Sequence, residues 1–203
     1  AGEADAYALA MMAVIARVRD GHANLWSHWH LLPPRGEARL PIVVRFVEDE
    51  PVVADVEASW RGARSGLERG DVILALDGRP VDDLVTTMRP YVGASNEAAL
   101  RRDVARLLTR GDRGPCEVTV RRGGDAVTVA CERVPDGELD QRAGRTHDLP
   151  GPVCRRLGDD VGYLKLAGLQ RTAVADHLAS LAGTRGLILD LRNYPTDFPI
   201  FDL

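Results

Sequence analysis

The chain has 203 residues, 45% of them hydrophobic and 28% charged, and its formal net charge is −4. This balance excludes disordered and fibrous proteins, and no apolar run approaches the ~20 residues that a membrane-spanning helix requires. Because a phosphate-binding surface needs clustered cations, we expect a globular protein that binds no nucleic acid and does not span a membrane.

The first predicted element is an amphipathic helix over residues 3–19, because apolar side chains recur there at helical spacing and Asp20-Gly21 supplies a stop. The apolar stripe consists of Tyr7, Met11, Val14, Ile15 and Val18. No basic region followed by an apolar one precedes this helix, so either the protein is cytosolic or a leader has been removed.

The next stretch, HANLWSHWHLL, is predicted to be extended, and the breaker cluster PPRGEARLP to be a linker or loop. These features define residues 1–36 as an N-terminal helical segment. His22, His28 and His30 suggest a zinc site, but an extended chain separates His22 from His28 by ~20 Å. The remaining histidine pair has no carboxylate or cysteine nearby, so we expect neither a metal nor a cofactor.

Residues 37–135 are predicted to form a domain of short strands and two helices. The strands are PIVVRFVE, PVVADVEA after a turn at Asp49-Glu50, and DVILALDG, and the first helix is VDDLVTTM. The second helix covers residues 96–109, with Ser95 or Asn96 as its N-cap and Gly111 as its terminator. Its apolar face comprises Leu100, Val104, Leu107 and Leu108.

A hairpin closes this domain, in the sequence CEVTVRRGGDAVTVAC. A turn at Gly123-Gly124 pairs residue 116 with 131, 118 with 129 and 120 with 127. Cys116 therefore faces Cys131, and two interpretations stay open: a pair of small buried hydrophobic residues, or a cross-strand disulfide in an oxidising compartment. Cys154 has no partner at the level of sequence.

Residues 136–157 lack periodicity and are predicted to be a second linker. A strand, a helix and a strand follow in DVGYLKLAG, TAVADHLASLAG and RGLILDLRN, which predicts a βαβ unit over residues 158–203. Two strands cannot make a stable parallel sheet, so this unit needs partner strands from elsewhere.

The stretch RSGLERGDVILALDGRPV resembles the PDZ domains associated with bacterial proteases. The resemblance extends through the second helix and the hairpin, about half of the chain. It implies a peptide captured between a strand and a helix, with contacts from Leu40, Ile42, Val43, Val44, Leu100, Val104 and Leu108. The carboxylate-binding loop of that family is glycine-rich, whereas here it is ARLPI, and Pro41 removes one N–H donor.

The order of helix, DGH, PDZ-like domain, VGYLKLAG and GLILDLRNYP resembles the serine peptidases of the carboxy-terminal-processing and tricorn-core families, also called tail-specific proteases. This resemblance implies the N-terminal portion of such an enzyme, whose nucleophilic serine lies downstream. The implied fold class is α+β, with a PDZ-like β-sandwich or barrel carrying two helices. That domain is inserted between an N-terminal helix and the first βαβ unit of an incomplete α/β (crotonase-like) peptidase core.

Candidate site residues follow from the same resemblance. His22 is the candidate general base, and the backbone N–H groups of Thr196 and Asp197 are weak candidates for an oxyanion hole. Asp190 and Arg192 are expected to hold the sheet and the following turn together. No serine lies in a G-x-S-x-G elbow or an S-x-x-K pair, and Ser180 with His177 is interpreted as a surface pair.

Two functions remain open at this stage. The first is the PDZ-bearing part of a serine endopeptidase that cleaves unstructured or C-terminal protein segments, with this chain alone inactive. The second is a non-catalytic peptide-binding module or pseudopeptidase. Either way the expected partner is an unfolded or extended polypeptide, an oligomer is allowed, and a bacterial periplasmic or secreted location is expected, with the cytoplasm as the alternative.

Overall fold

The computed structural model describes residues 2–57, 65–139, 149–193, 195 and 197. The chain divides into two compact units, Ala1–Gln141 and Arg142–Leu203. The first unit combines helices with a curled antiparallel sheet, and the second contains a small mixed sheet with one α-helix. None of the described helices is long and apolar enough to cross a membrane.

Eight strands form the sheet of the first unit, and every pairing is antiparallel. They are β1 (Ala38–Arg39), β2 (Ile42–Val47), β3 (Glu50–Val56), β4 (Val72–Leu76), β5 (Arg79–Pro80), β6 (Arg110–Gly111), β7 (Gly114–Arg122) and β8 (Asp125–Pro135). Their order is β2-β3-β4-β7-β8-β1-β6, with β5 paired to β4. Strand β2 is therefore an edge strand within the described residues.

The register predicted for the hairpin is confirmed. Cys116 pairs with Cys131, and the valines that follow face each other in β7 and β8. Gly123 and Gly124 form the turn with φ angles of 60° and 101°, a conformation that side chains with a Cβ rarely adopt. The turn between β2 and β3, in contrast, lies one residue earlier than predicted: Glu48 and Asp49 carry the positive φ angles, and Glu50 already belongs to β3.

Three α-helices belong to the first unit: α1 (Glu3–Ala16), α2 (Val81–Met88) and α3 (Glu97–Leu107). Both internal helices were predicted, and Asn96 caps α3 by accepting a hydrogen bond from the N–H of Ala99 at 2.8 Å. Helix α3 ends at Leu107, and Gly111 lies in β6 instead of terminating the helix.

The predicted apolar stripe of the first helix was wrong at three of its five positions, whereas Met11 and Ile15 are half-buried. Tyr7, Val14 and Val18 are 69%, 56% and 66% exposed, whereas Ala8 and Met12 are buried. Because α1 is apolar on most of its surface, the spacing of its apolar residues did not determine which face is covered. The stretch predicted to be extended also differs, since residues Trp26–Leu31 form a 3-10 helix.

One hydrophobic core joins the N-terminal segment to the sheet. Met12 and Leu32 belong to the same buried cluster as Val53, Val104 and Val118. Residues 1–36 are therefore not a separate compact unit, and the predicted linker PPRGEARLP contains strand β1. At this junction the main chains of Gly36 and Gly111 are in contact, because a Cβ on Gly36 would overlap the carbonyl group of Gly111. A Cβ on Gly111 would lie 2.8 Å from Arg133 Cζ.

The second unit contains β9 (Cys154–Leu157), β10 (Val161–Lys165), α4 (Val174–Ser180) and β11 (Gly186–Asp190). Strands β10 and β11 are parallel, as the predicted βαβ unit requires. Strand β9 pairs antiparallel with β10 and falls inside the predicted linker 136–157, where two arginines hide the strand pattern. Strand β11 is an edge strand among the described residues, and Leu187, Ile188 and Leu189 on it are 40–46% exposed.

Candidate functional site

The first candidate site is the free edge of β2 beside helix α3. Residues 42, 44 and 46 of β2 share one face of the strand, since side chains alternate, and α3 packs against β2. Among the residues that the structure describes, the main chain of β2 pairs only with β3, on one side. Its other side offers N–H and C=O groups with which an extended chain can pair.

Six of the seven side chains predicted to contact a peptide are buried in the core of the first unit. These are Leu40, Ile42, Val44, Leu100, Val104 and Leu108, with exposed fractions from 0 to 8%. Only Val43 is half-buried. The structure thus brings the predicted β2 and α3 residues together, but their side chains fill the space between strand and helix.

The predicted carboxylate-binding loop is only two residues long. Strand β1 ends at Arg39 and β2 begins at Ile42, so Leu40 and Pro41 alone connect them. Leu40 is buried and Pro41 has no N–H group, while the carbonyl group of Pro41 accepts a hydrogen bond from the N–H of Glu57 at 2.9 Å. The loop therefore supplies few donors for the terminal carboxylate of a peptide.

The motif RSGLERGDV is held by an ion pair that the sequence analysis did not predict. Arg122 on β7 donates to both carboxylate oxygens of Asp71, at 2.7 and 2.6 Å, and to the carbonyl group of Gly66 at 3.0 Å. The N–H of Glu68 donates to the same carboxylate at 2.8 Å. Burial opposes ionisation of Asp71, but these hydrogen bonds outweigh it and keep the pKa of Asp71 below its ordinary value.

The Asp77-Gly78 turn has a similar arrangement. Asp77 accepts from the N–H of Glu117 at 2.9 Å and from Arg133 Nη2 at 2.6 Å. Arg133 is nearly buried and also donates to the carbonyl group of Thr109 at 3.1 Å. Burial raises the pKa of Asp77, and the two hydrogen bonds more than offset it, so that the pKa is lowered overall. Each of the two aspartates thus accepts a hydrogen bond from a backbone N–H group as well as from an arginine.

The second candidate site is the loop after α1. His22 Nδ1 lies 3.1 Å from Asp20 Oδ1, and the N–H of His22 donates to that oxygen at 2.9 Å. The backbone hydrogen bond, followed by the side-chain one, lowers the pKa of Asp20. The imidazole is 97% exposed, and its Nε2 has no hydrogen-bond partner among the described residues. Asp20 can orient the imidazole through Nδ1, which leaves Nε2 available to accept a proton. This arrangement suits a general base.

The Asp20–His22 loop lies against Gly93, between α2 and α3. A Cβ on Gly93 would lie 3.0 Å from the carbonyl oxygen of Asp20 and 3.2 Å from that of Ala23. Only a glycine allows this close approach without a shift of the loop. Gly93 therefore sets the position of the backbone that carries His22, a role that no local sequence pattern indicates.

The third candidate site lies at the end of β11. Tyr163 donates to Asp190 Oδ2 at 2.6 Å, and Arg192 donates to both oxygens of Asp190 at 2.8 and 2.6 Å. The hydrogen bonds from Arg192 have the largest effect, and together with that from Tyr163 they hold the pKa of Asp190 well below its usual range. Asp190 and Arg192 thus join the strand to the turn, as predicted. An open cavity of 610 Å³ beside them is lined by Leu149, Tyr163, Ile188, Leu189, Asp190, Leu191 and Arg192.

The remaining predicted site residues have other contacts. Asp197 accepts from the N–H of Arg171 at 2.9 Å through its side chain, and Thr196 lies outside the described residues, so the oxyanion hole stays a prediction. Ser180 donates to the backbone carbonyl group of His177 at 2.7 Å and not to its imidazole, so the two residues do not form a catalytic pair.

Both hairpin cysteines are free thiols, so the disulfide alternative is not formed in this structure. Cys131 donates to the carbonyl group of Ser65 at 3.1 Å. Burial raises the pKa of Cys116 to about 11 and that of Cys131 to about 12. Both therefore stay neutral at ordinary pH, and neutral thiols are poor nucleophiles.

Comparison with known proteins gives one family and several similar structures. The family described as "PDZ domain" matches residues 36–142. The fold is similar to that of mature CPAF complexed with lactacystin, at 18% identity and a TM-score of 0.53, over 79% of this chain and 42% of that chain. Another structure of mature CPAF has 17% identity and a TM-score of 0.52, over 79% of this chain and 41% of that chain. The HtrA-type protease AlgW with tripeptide is 24% identical with a TM-score of 0.32, over 50% and 34%.

No curated protein matches the chain. The matched part spans about two fifths of the length of CPAF. At 17–18% identity the similarity to CPAF shows a common fold alone.

Proposed function

Because the chain belongs to the PDZ domain family over residues 36–142, we propose that its first unit binds an extended polypeptide segment along the free edge of β2. The observation that carries this proposal is the position of β2, which pairs with β3 on one side and has α3 packed against it. A bound segment would add a strand to the sheet and gain main-chain hydrogen bonds from Ile42–Val47.

The bound segment is an internal one and not a chain terminus. Capture of a C-terminal carboxylate needs several N–H groups pointing into one loop, and the two-residue connection of Leu40 and Pro41 supplies too few. Internal segments need no such loop, because the strand edge alone pairs with them. Unfolded proteins are the source of such segments.

We propose further that the whole protein is a serine endopeptidase of the carboxy-terminal-processing or tricorn-core type, with a crotonase-like core that begins in the second unit. Three features support this: the resemblance of LILDLRNYP, the parallel pairing of β10 with β11, and the fold shared with CPAF. The nucleophile would lie outside these residues, and His22 would act as its general base. The alternative is a peptide-binding module that catalyses no reaction. The burial of the side chains between β2 and α3 is compatible with that alternative as well.

Hydrogen–deuterium exchange with the full chain tests the binding proposal. Short peptides of Val, Thr and Ser, acetylated and amidated at their ends, should slow exchange in β2 while β6 at the opposite end of the sheet stays unchanged. The same peptides with N-methyl groups on alternate residues should not bind, because they cannot form the ladder. Equal binding of methylated and unmethylated peptides would contradict strand addition.

Hydrolysis of an unfolded protein tests the catalytic proposal. The chain of 203 residues should show none, whereas the whole protein should be active and should be inhibited by a serine-directed phosphonate. In the whole protein His22→Ala should lower kcat by several orders of magnitude, by analogy with deletion of a general base. His28→Ala is the matched control, because the His28 imidazole contacts its close neighbours in sequence, the hydroxyl of Ser27 and the ring of His30. An unchanged rate in His22→Ala would remove His22 from the mechanism.

A further inference from the structure

Arg101 reaches from helix α3 to the far end of strand β2. Its guanidinium carbon lies 5.8 Å from the centroid of the Phe46 ring, and its Nη1 forms an ion pair with Asp49 in the turn that follows β2. Its Nε lies 3.4 Å from Glu97, one helical turn away. The side chain is 26% exposed, so most of it is covered by its neighbours.

The two carboxylates beside Arg101 differ in how firmly they are held. Glu97 is bound by Arg89 through two hydrogen bonds of 2.9 and 2.8 Å. Asp49 has a side chain that is 79% exposed and lies on a two-residue turn. Exposed ion pairs are weak and are screened by salt, so Asp49 can be exchanged for another carboxylate at little cost.

Phe46 extends the apolar row of Ile42 and Val44 on β2, and Arg101 covers the end of this row. A segment added to the edge of β2 passes beside this guanidinium, whose neighbours Asp49, Glu97 and Arg89 leave the cluster electrically balanced. A neutral segment would leave the ion pairs as they are. A segment with its own carboxylate can replace Asp49. Because the added strand would cover Arg101, the new ion pair would be screened less by solvent than the pair with the exposed Asp49, and Asp49 would return to water.

We propose that Arg101 determines the specificity of the β2 edge, and that the edge prefers an extended segment carrying an Asp or Glu side chain opposite the end of β2. This inference rests on the proposed peptide-binding function. It adds the chemical class of the ligand and assigns Asp49 the role of an internal competitor. The guanidinium suits this role because it keeps its charge at all relevant pH values and binds a carboxylate through two N–H groups at once.

The test is fluorescence anisotropy on the full chain with three labelled peptides that differ only in one residue: Glu, Gln or Lys. The Glu peptide should bind about three- to tenfold more tightly than the Gln peptide at low salt, and the difference should shrink at high salt. Arg101→Gln should abolish this preference. Asp49→Asn should strengthen binding of the Glu peptide, because it removes the competing carboxylate while Arg101 stays in place.

Arg113→Gln is the control, since Arg113 is an exposed arginine that forms a long ion pair of 3.8 Å with Glu138. Thermal unfolding of each variant shows whether it folds, and the opposite directions expected for Arg101→Gln and Asp49→Asn cannot arise from a common loss of stability. If all three peptides bind equally and neither variant changes their affinity, the specificity inference is overturned while peptide binding stands. If no peptide binds at all, both proposals are overturned.

Discussion

Asp71 and Arg122 form a two-pronged ion pair across 51 residues of sequence, with hydrogen bonds of 2.7 and 2.6 Å and an aspartate side chain that is only 1% exposed. The pair fixes the loop of the RSGLERGDV motif to strand β7. Removal of one partner of a buried pair leaves an uncompensated charge, which costs more than the pair itself contributes.

We therefore expect Arg122→Gln to lower the free energy of unfolding by about 3 kcal/mol. Urea denaturation followed by circular dichroism measures this change. Arg79→Gln is the matched control, because the side chain of Arg79 is exposed and has no ion pair among the described residues, and it should cost less than about 0.5 kcal/mol. Equal effects of the two substitutions would show that the ion pair does not hold the loop.

The lowered pKa values of Asp71 and Asp77 predict a loss of stability in acid. Both groups bind protons more weakly in the folded state than in the unfolded state, where a carboxyl of this type titrates near 3.9. Their contribution is therefore complete above about pH 5 and is lost as the pH falls below about 4. Urea midpoints measured from neutral to acidic pH should decline in that window, and the decline should be smaller in Asp71→Asn. A midpoint that stays constant down to about pH 2 would contradict the assignment.

The hairpin thiols should resist alkylation in the folded protein. Burial raises the pKa of Cys116 to about 11 and that of Cys131 to about 12, so almost no thiolate is present near neutral pH. Treatment with iodoacetamide and mass spectrometry should show Cys154, which is half-buried, modified first, and all three cysteines modified in denaturant. A Cys116–Cys131 disulfide in protein exported to the periplasm would instead support the oxidised alternative.

Substitution of Gly93 should disturb the loop that carries His22. In Gly93→Ala the new methyl group must push the carbonyl groups of Asp20 and Ala23 away by a few tenths of an ångström. We expect a destabilisation of about 1 kcal/mol and shifted imidazole resonances of His22 in NMR spectra. In Gly137→Ala none of the described residues lies within 4 Å of the added carbon, so this control should leave both measurements unchanged or raise stability slightly. Unshifted resonances in Gly93→Ala would show that the loop does not depend on this contact.

The hairpin and the α3 cap could be predicted from sequence because local rules determine them. Gly123 and Gly124 readily adopt the positive φ angles of a two-residue hairpin turn, which sets the register of β7 and β8, and Asn96 satisfies one of the first free N–H groups of α3. The parallel pairing of β10 with β11 followed from the helix between them. In each case a few neighbouring residues carry the signal.

The features that sequence reasoning missed depend on contacts between distant residues. Met12 is buried and Val14 is exposed because of what packs on α1, and both are apolar. Strand β9 is held by its pairing with β10, although its own sequence CRRL carries no strand pattern. The candidate peptide residues Leu100 and Val104 were placed on the correct face of α3, but only the structure shows that the core of the same unit already covers them.

The contact of Gly36 with Gly111, above Arg133, restricts how this protein can change over generations. A side chain at either position would meet backbone or a nearly buried arginine, and Gly36 also has a φ of 144° that other residues rarely adopt. A second substitution cannot make room, because the obstacle at Gly36 is main chain and every residue type has one. The Gly36 codon should therefore remain glycine in any viable descendant, whereas Gly111 could change if Arg133 changed with it. A saturation library should be depleted of other residues at Gly36.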